Sequence, residues 1–121
     1  MLSAPDLNAI TRQIPVYVSP VNLAEIRLGA ELLSDPNRRQ AAMAMFRRMC
    51  RKPILRITGE TAEVYAVISA RLLKRRKSID HRVQDLWLAS QAIQRGFKLI
   101  TSNSKDFADI PQLTLVVLKL S

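Results

Sequence analysis

One cysteine, three glycines and one histidine leave this 121-residue chain with little of the usual catalytic vocabulary. Cys50 alone excludes an internal disulfide and a cysteine-rich zinc site; a small residue at the core or its boundary is the expectation for it. Three unclustered glycines exclude a glycine-rich phosphate cradle. His81, in "IDHRVQD", reads as a loop residue near a basic patch and not as a catalytic base. Aromatic residues are 5% and scattered, which argues against a base-stacking platform for single strands. No apolar run approaches the length of a membrane span. The N-terminus has neither the basic region nor the apolar core of a secretory signal, so a cytoplasmic protein with no membrane partner is expected. With no internal repeat, low-complexity tract or linker, residues 1–121 are expected to form a single domain.

What the chain has in excess is positive charge. Nineteen Lys and Arg against ten Asp and Glu give +9 and a pI near 10.6. That balance suits a polyanion, nucleic acid first and an acidic protein or membrane surface next. The basic residues cluster at Arg38–Lys52 and Arg71–Arg82, the second holding Arg75, Arg76, Lys77 and Arg82 as candidate RNA contacts. Each cluster taken alone reads first as the solvated face of a helix, and only second as a nucleic-acid contact.

Prolines and capping residues mark out the elements. A short helix is predicted from Ser3 to about Gln13, ended by Pro15, and "VYVS" (Val16–Ser19) as a buried strand. Ser19 caps a helix whose stripe is Leu23, Ile26, Ala30 and Leu33. Asp35 caps the next, with Pro36 in its first turn and Ala42, Met45, Phe46 and Met49 directed inward. "ILRI" (Ile54–Ile57) is a second strand. Thr58 then caps a helix from about Glu60 to Lys74 with Val64, Val67, Ile68 and Leu72 on its core face. After a loop comes the helix of "VQDLWLAS", closed by Gly96. "KLITS" (Lys98–Ser102) and "TLVVLKL" (Thr114–Leu120) are strands, with a turn or a single helical turn between them. Alternating strands and helices predict an α/β domain with a mostly parallel sheet. In such sheets ligands gather at the carboxyl ends of strands, which selects Glu25 and the segment Asn103–Asp106.

Asp85 is the acid that most needs a reason. Val83, Leu86, Leu88, Ala89, Ala92 and Ile93 make its helix apolar around much of the circumference. A carboxylate buried there needs an arginine, a hydrogen-bond network or a metal ion. Its place in the first turn, favourable to the helix dipole, is the alternative, and periodicity leaves both open. Glu25 poses the same choice. Two acids converging over strand ends would favour Mg²⁺ or Mn²⁺.

The stretches "YVSPVNLAEIRLGAELL" and "VQDLWLASQAIQRGFKLITSNSKDFADIPQLTLVVL", in this order and spacing, resemble a bacterial PIN domain, and specifically the VapC-like toxin ribonucleases. The resemblance runs from about Asp6 onward and implies a three-layer α/β/α fold. It implies too a metal-dependent endoribonuclease that binds Mg²⁺ or Mn²⁺ through acidic side chains, pairs with a cognate antitoxin and forms a homodimer. It puts Glu25 at the family's second acid and Asp85 at its third. Asn103 takes a position held by an acid or an Asn, with Asp106 close behind; Thr101 and Ser102 belong to the same strand-end motif and are candidates for binding RNA phosphate. Catalytic positions are thus expected at Glu25, Asp85 and Asn103, and metal ligands at Glu25, Asp85 and Asp106.

The family's pattern opens with a hydrophobic strand ending in an Asp, the principal metal ligand, and no such segment precedes "SAPDLNAI". The expectation is a domain lacking its first, central strand, with a site charge of about −2 that holds a divalent ion weakly. Weak or absent ribonuclease activity follows. The alternatives are a non-catalytic remnant that binds antitoxin, and a basic RNA- or DNA-binding module.

Overall fold

The computed structural model describes Arg12 and residues 14–118, so the predicted helix from Ser3 to Gln13 lies almost wholly outside the described residues. Among the described residues, four helices and two short strands follow in the order α1 (Pro20–Leu32), α2 (Pro36–Cys50), α3 (Gly59–Lys74), α4 (Val83–Arg95), β1 (Leu99–Thr101) and β2 (Leu115–Val117). A 3₁₀ turn, Ser104–Asp106, lies between the strands. The chain divides into two compact units, Val16–Arg56 and the part from Ile57 onward.

In the first unit the caps act as their sequence predicts. Ser19 Oγ accepts from the Val21 amide at 3.1 Å, Asn22 Oδ1 accepts from the Ser19 amide at 3.3 Å, and Pro20 occupies the first turn of α1. Asp35 accepts from the Asn37 amide at 3.2 Å to start α2. These bonds satisfy amides that have no partner within the helix. Helices α1 and α2 pack together, with Ala30 fully buried. The Arg27 guanidinium lies 5.6 Å from the Phe46 ring centroid, and Arg27 and Arg39 reach Glu31 at 2.7 and 3.1 Å. The two predicted strands contract to one parallel bridge, Val18 with Ile54, held by Val18 N to Pro53 O and Leu55 N to Val18 O at 2.9 Å each. Helix α2 buries none of its residues fully, and Met45, expected inward, is 44% exposed.

The second unit holds the larger core. Ile68 and Leu72 of α3 meet Leu86 and Ala89 of α4, with Phe107 and Ile110 from the connection between the strands. Leu99 and Leu115 bring β1 and β2 onto the same cluster. Fully burying an aliphatic side chain of this size stabilises by about 1.5–3 kcal/mol. Strands β1 and β2 are parallel, in the register Leu99–Leu115, Ile100–Val116 and Thr101–Val117. Gly96 ends α4 at φ 68°, a left-handed conformation that costs glycine least. Thr58 caps α3 by accepting from the Thr61 amide, while Thr61 Oγ1 accepts from the Thr58 amide at 3.0 Å. Two expected core positions lie outside the core: Val67 and Val83 are 50% and 51% exposed. Val67 stands one position from Ile68 and so about 100° round the helix; Val83 is the first residue of α4.

Candidate functional site

The carboxyl end of β1 and the amino end of α4 bring together four of the residues selected from sequence. Asp85 lies in the first turn of α4, partly buried. Asp106 ends the 3₁₀ turn that follows β1. Between them in sequence, Asn103 donates from its side-chain nitrogen to Asp106 Oδ2 at 2.7 Å, and Thr101 Oγ1 accepts from the Asn103 amide at 3.0 Å. Thr101 therefore fixes the turn off the strand, and Asn103 fixes the Asp106 carboxylate.

Asp85 and Asp106 are close enough to repel. Burial pushes the Asp85 carboxyl above its usual range, the charge of Asp106 adds to that rise, and the Arg82 guanidinium partly offsets it. Loss of hydration and a like charge both disfavour the ionised form. A cavity of about 200 Å³ beside Asp85 is lined by His81, Val83, Gln84 and Asp85 itself. His81 is exposed there, at a left-handed φ of 63°.

Another acid, Asp109, which no sequence motif singled out, dominates the neighbouring ion pairs. It accepts from Arg82 through both oxygens, at 2.6 and 2.9 Å, and from Lys77 Nζ at 3.1 Å. The same guanidinium donates to the Asp106 carbonyl at 3.1 Å. These bonds hold the Asp109 carboxyl down at about 2, with the Arg82 hydrogen bonds the largest cause, and they raise Arg82 in turn. "DFAD" puts a second acid three positions after Asp106, the only trace of this role in the sequence.

Of the basic residues expected to contact RNA, Arg82 and Lys77 are thus engaged with Asp109, while Arg75 and Arg76 are exposed just past the end of α3. Ser102 is exposed beside the strand end. Glu25 stands in the first unit, exposed on α1. Among the described residues no three His, Cys, Asp or Glu side chains form a group able to hold a metal ion. The oxygen donors of Asp85 and Asp106 nonetheless suit a hard cation of the Mg²⁺ kind, which keeps several waters and takes one or two carboxylates.

No helix among the described residues is long and apolar enough to cross a membrane. Residues 3–113 match the PIN domain model. A ribonuclease VapC of Rickettsia bellii is 33% identical over 105 residues, 86% of this chain and 77% of that protein. Two crystal structures share the fold. VapBC2 of Rickettsia felis, bound to a DNA fragment from its promoter, gives a TM-score of 0.79 at 24% identity over 95% of this chain and 84% of that one. VapBC-5 of Mycobacterium tuberculosis, a member of the VapBC family of toxin–antitoxin systems, gives 0.71 at 22% identity over 84% of this chain and 79% of that one. The expected α/β fold with parallel pairing is therefore borne out, and the chain belongs to the PIN domain family as a VapC-type member.

Proposed function

We propose that the chain is a VapC-type toxin ribonuclease that hydrolyses RNA phosphodiesters with a divalent cation, Mg²⁺ or Mn²⁺, held at Asp85 and Asp106, and that it does so weakly. The observation that carries this reading is the gathering of Asp85, Asp106 and Asn103 where the end of β1 meets the start of α4, in a chain of this family. A cation bound there supplies charge neutralisation and an acidified water. Asp85 and Asp106 hold it, Asn103 keeps Asp106 in place, and Thr101 steadies Asn103. Arg75 and Arg76 draw the RNA backbone in by charge, and Thr101 and Ser102 offer hydroxyls to a phosphate. Two carboxylates are a lean ligand set, so Mn²⁺ affinity on the order of millimolar is expected. A cognate antitoxin and a second copy of the chain are its proposed protein partners, in keeping with its VapBC relatives.

RNA cleavage by the purified chain in Mn²⁺ tests this. Slow cleavage that stops with chelator and with Asp85→Asn is expected; cleavage indifferent to both would contradict it. A second reading, a non-catalytic protein that binds antitoxin or nucleic acid through its basic surface, is favoured by the lack of a three-ligand cluster among the described residues. Retained antitoxin binding with no cleavage at any Mn²⁺ concentration would select it.

A further inference from the structure

Arg82 immediately precedes α4, three positions before Asp85, and its guanidinium reaches the segment that carries Asp106. Two of its bonds go to Asp109 and a third to the main-chain carbonyl of Asp106 itself. The Arg82 and Asp109 side chains are 20% and 22% exposed, and the fork-on-carboxylate arrangement gives both strength and a fixed orientation. Lys77 adds a third donor from the loop ahead of α4. The start of α4 is thereby tied to the segment that carries Asp106, by bonds between residues 24 and 27 positions apart.

We propose that Arg82 is a positioning residue, in a clamp with Asp109 that fixes the Asp106 segment against the start of α4 and so sets the separation of the Asp85 and Asp106 carboxylates. The proposal rests on the reading of these two acids as the cation site. Arg82 has both arms of its guanidinium committed to the protein, so it acts through Asp106 and not on the RNA. The geometry is unforgiving because metal ligands displaced by a fraction of an ångström lose affinity, and loss of a residue supporting a ligand commonly costs 10–100-fold in binding.

The experiment uses the full chain and its only tryptophan, Trp87, two positions after Asp85 and stacked on Tyr65 at 4.3 Å. Quenching of Trp87 by Mn²⁺ reports cation affinity, and amide hydrogen exchange over residues 103–110 in metal-free protein reports whether the segment is held. Arg82→Met and Asp109→Asn are each expected to weaken Mn²⁺ binding about tenfold and to speed exchange in that segment. The double variant should be no worse than either single one, Arg82→Lys should recover part of the loss, and the KM for RNA should not change. Additive losses, unchanged exchange, or wild-type Mn²⁺ affinity in both single variants would overturn the clamp while leaving the cation site standing. A raised KM for RNA with unaltered Mn²⁺ affinity would make Arg82 an RNA contact instead. If the wild-type chain itself bound no Mn²⁺, the cation site would fail first and the clamp's role with it. Should Arg82→Met not fold, Asp109→Asn carries the same predictions.

Discussion

Asp85 bears an electrostatic cost in the folded chain. Its carboxyl is raised chiefly by burial and then by Asp106, so its ionised form is unfavourable in the folded chain. Asp85→Asn removes both penalties, and it is expected to leave the protein as stable at pH 7 or more so, while RNA cleavage falls about 10²-fold or more. Urea denaturation and a cleavage assay on the same preparation check the two halves. Asp109 behaves in the opposite sense. Its folded value of about 2 lies below the unfolded value near 3.9, so its contribution is fully present above about pH 4 and is lost as the pH falls toward 2. A comparison of wild type with Asp109→Asn should therefore show a stability difference at pH 5–7 that disappears near pH 2. Asp85, being raised, gains relative stability over part of the same acid range, so the single-residue comparison is the one to make. Sequence singled out Asp85 as an acid within an apolar helix, and periodicity left a partner and the helix dipole equally open as its reason. Asp109 was not singled out, since its meaning lies in Arg82, 27 positions earlier, and local spacing carries no record of that pairing. Arg82 is indistinguishable from surface charge in sequence for the same reason.

At the scale of elements, boundaries were legible and faces less so. Ser19 with Pro20, Asp35 with Pro36, Thr58 and Gly96 all stand at the ends they signal, because a cap is a local bond between residues two or three apart. The strands are shorter than their apolar runs: "VYVS" and "ILRI" share a single bridge, and β1 and β2 have three residues each. Apolar content marks a strand, but pairing depends on neighbours that the segment does not encode. Val67 and Met45 fall outside the core because a helical stripe has soft edges, and tertiary packing decides which residues at its margin are covered. Gly96→Ala tests one boundary. An added Cβ would meet nothing within 4 Å, so the cost is that of the left-handed backbone alone, about 1–2 kcal/mol. Leu72→Ala tests the core that carries α3 and α4. With Leu72 fully buried, a loss of about 2–5 kcal/mol is expected, a large share of a typical total of 5–15 kcal/mol. Thermal or urea unfolding reads both.

Across the whole molecule, the +9 charge implies long-range attraction for polyanions, and the clamp divides the basic residues into two kinds. Arg82 and Lys77 share the single carboxylate of Asp109, whereas Arg75 and Arg76 project from the end of α3. RNA affinity is therefore expected to fall steeply with salt. Alanine at Arg75 or Arg76 should make the slope of log affinity against log salt shallower by roughly 0.7 for each single-strand phosphate that the arginine neutralises. Filter binding over a salt series measures this, and a slope unchanged in the double variant would assign the charge to general solvation. Family membership explains why the motifs keep their order along the chain. The most direct measurement is a titration of Mn²⁺ into the chain, followed by the electron paramagnetic resonance of the free ion, for wild type, Asp85→Asn and Asp106→Asn. One site on the order of millimolar that both substitutions remove is expected; binding that survives either substitution, or no binding to the wild type, would rule out a cation held by Asp85 and Asp106.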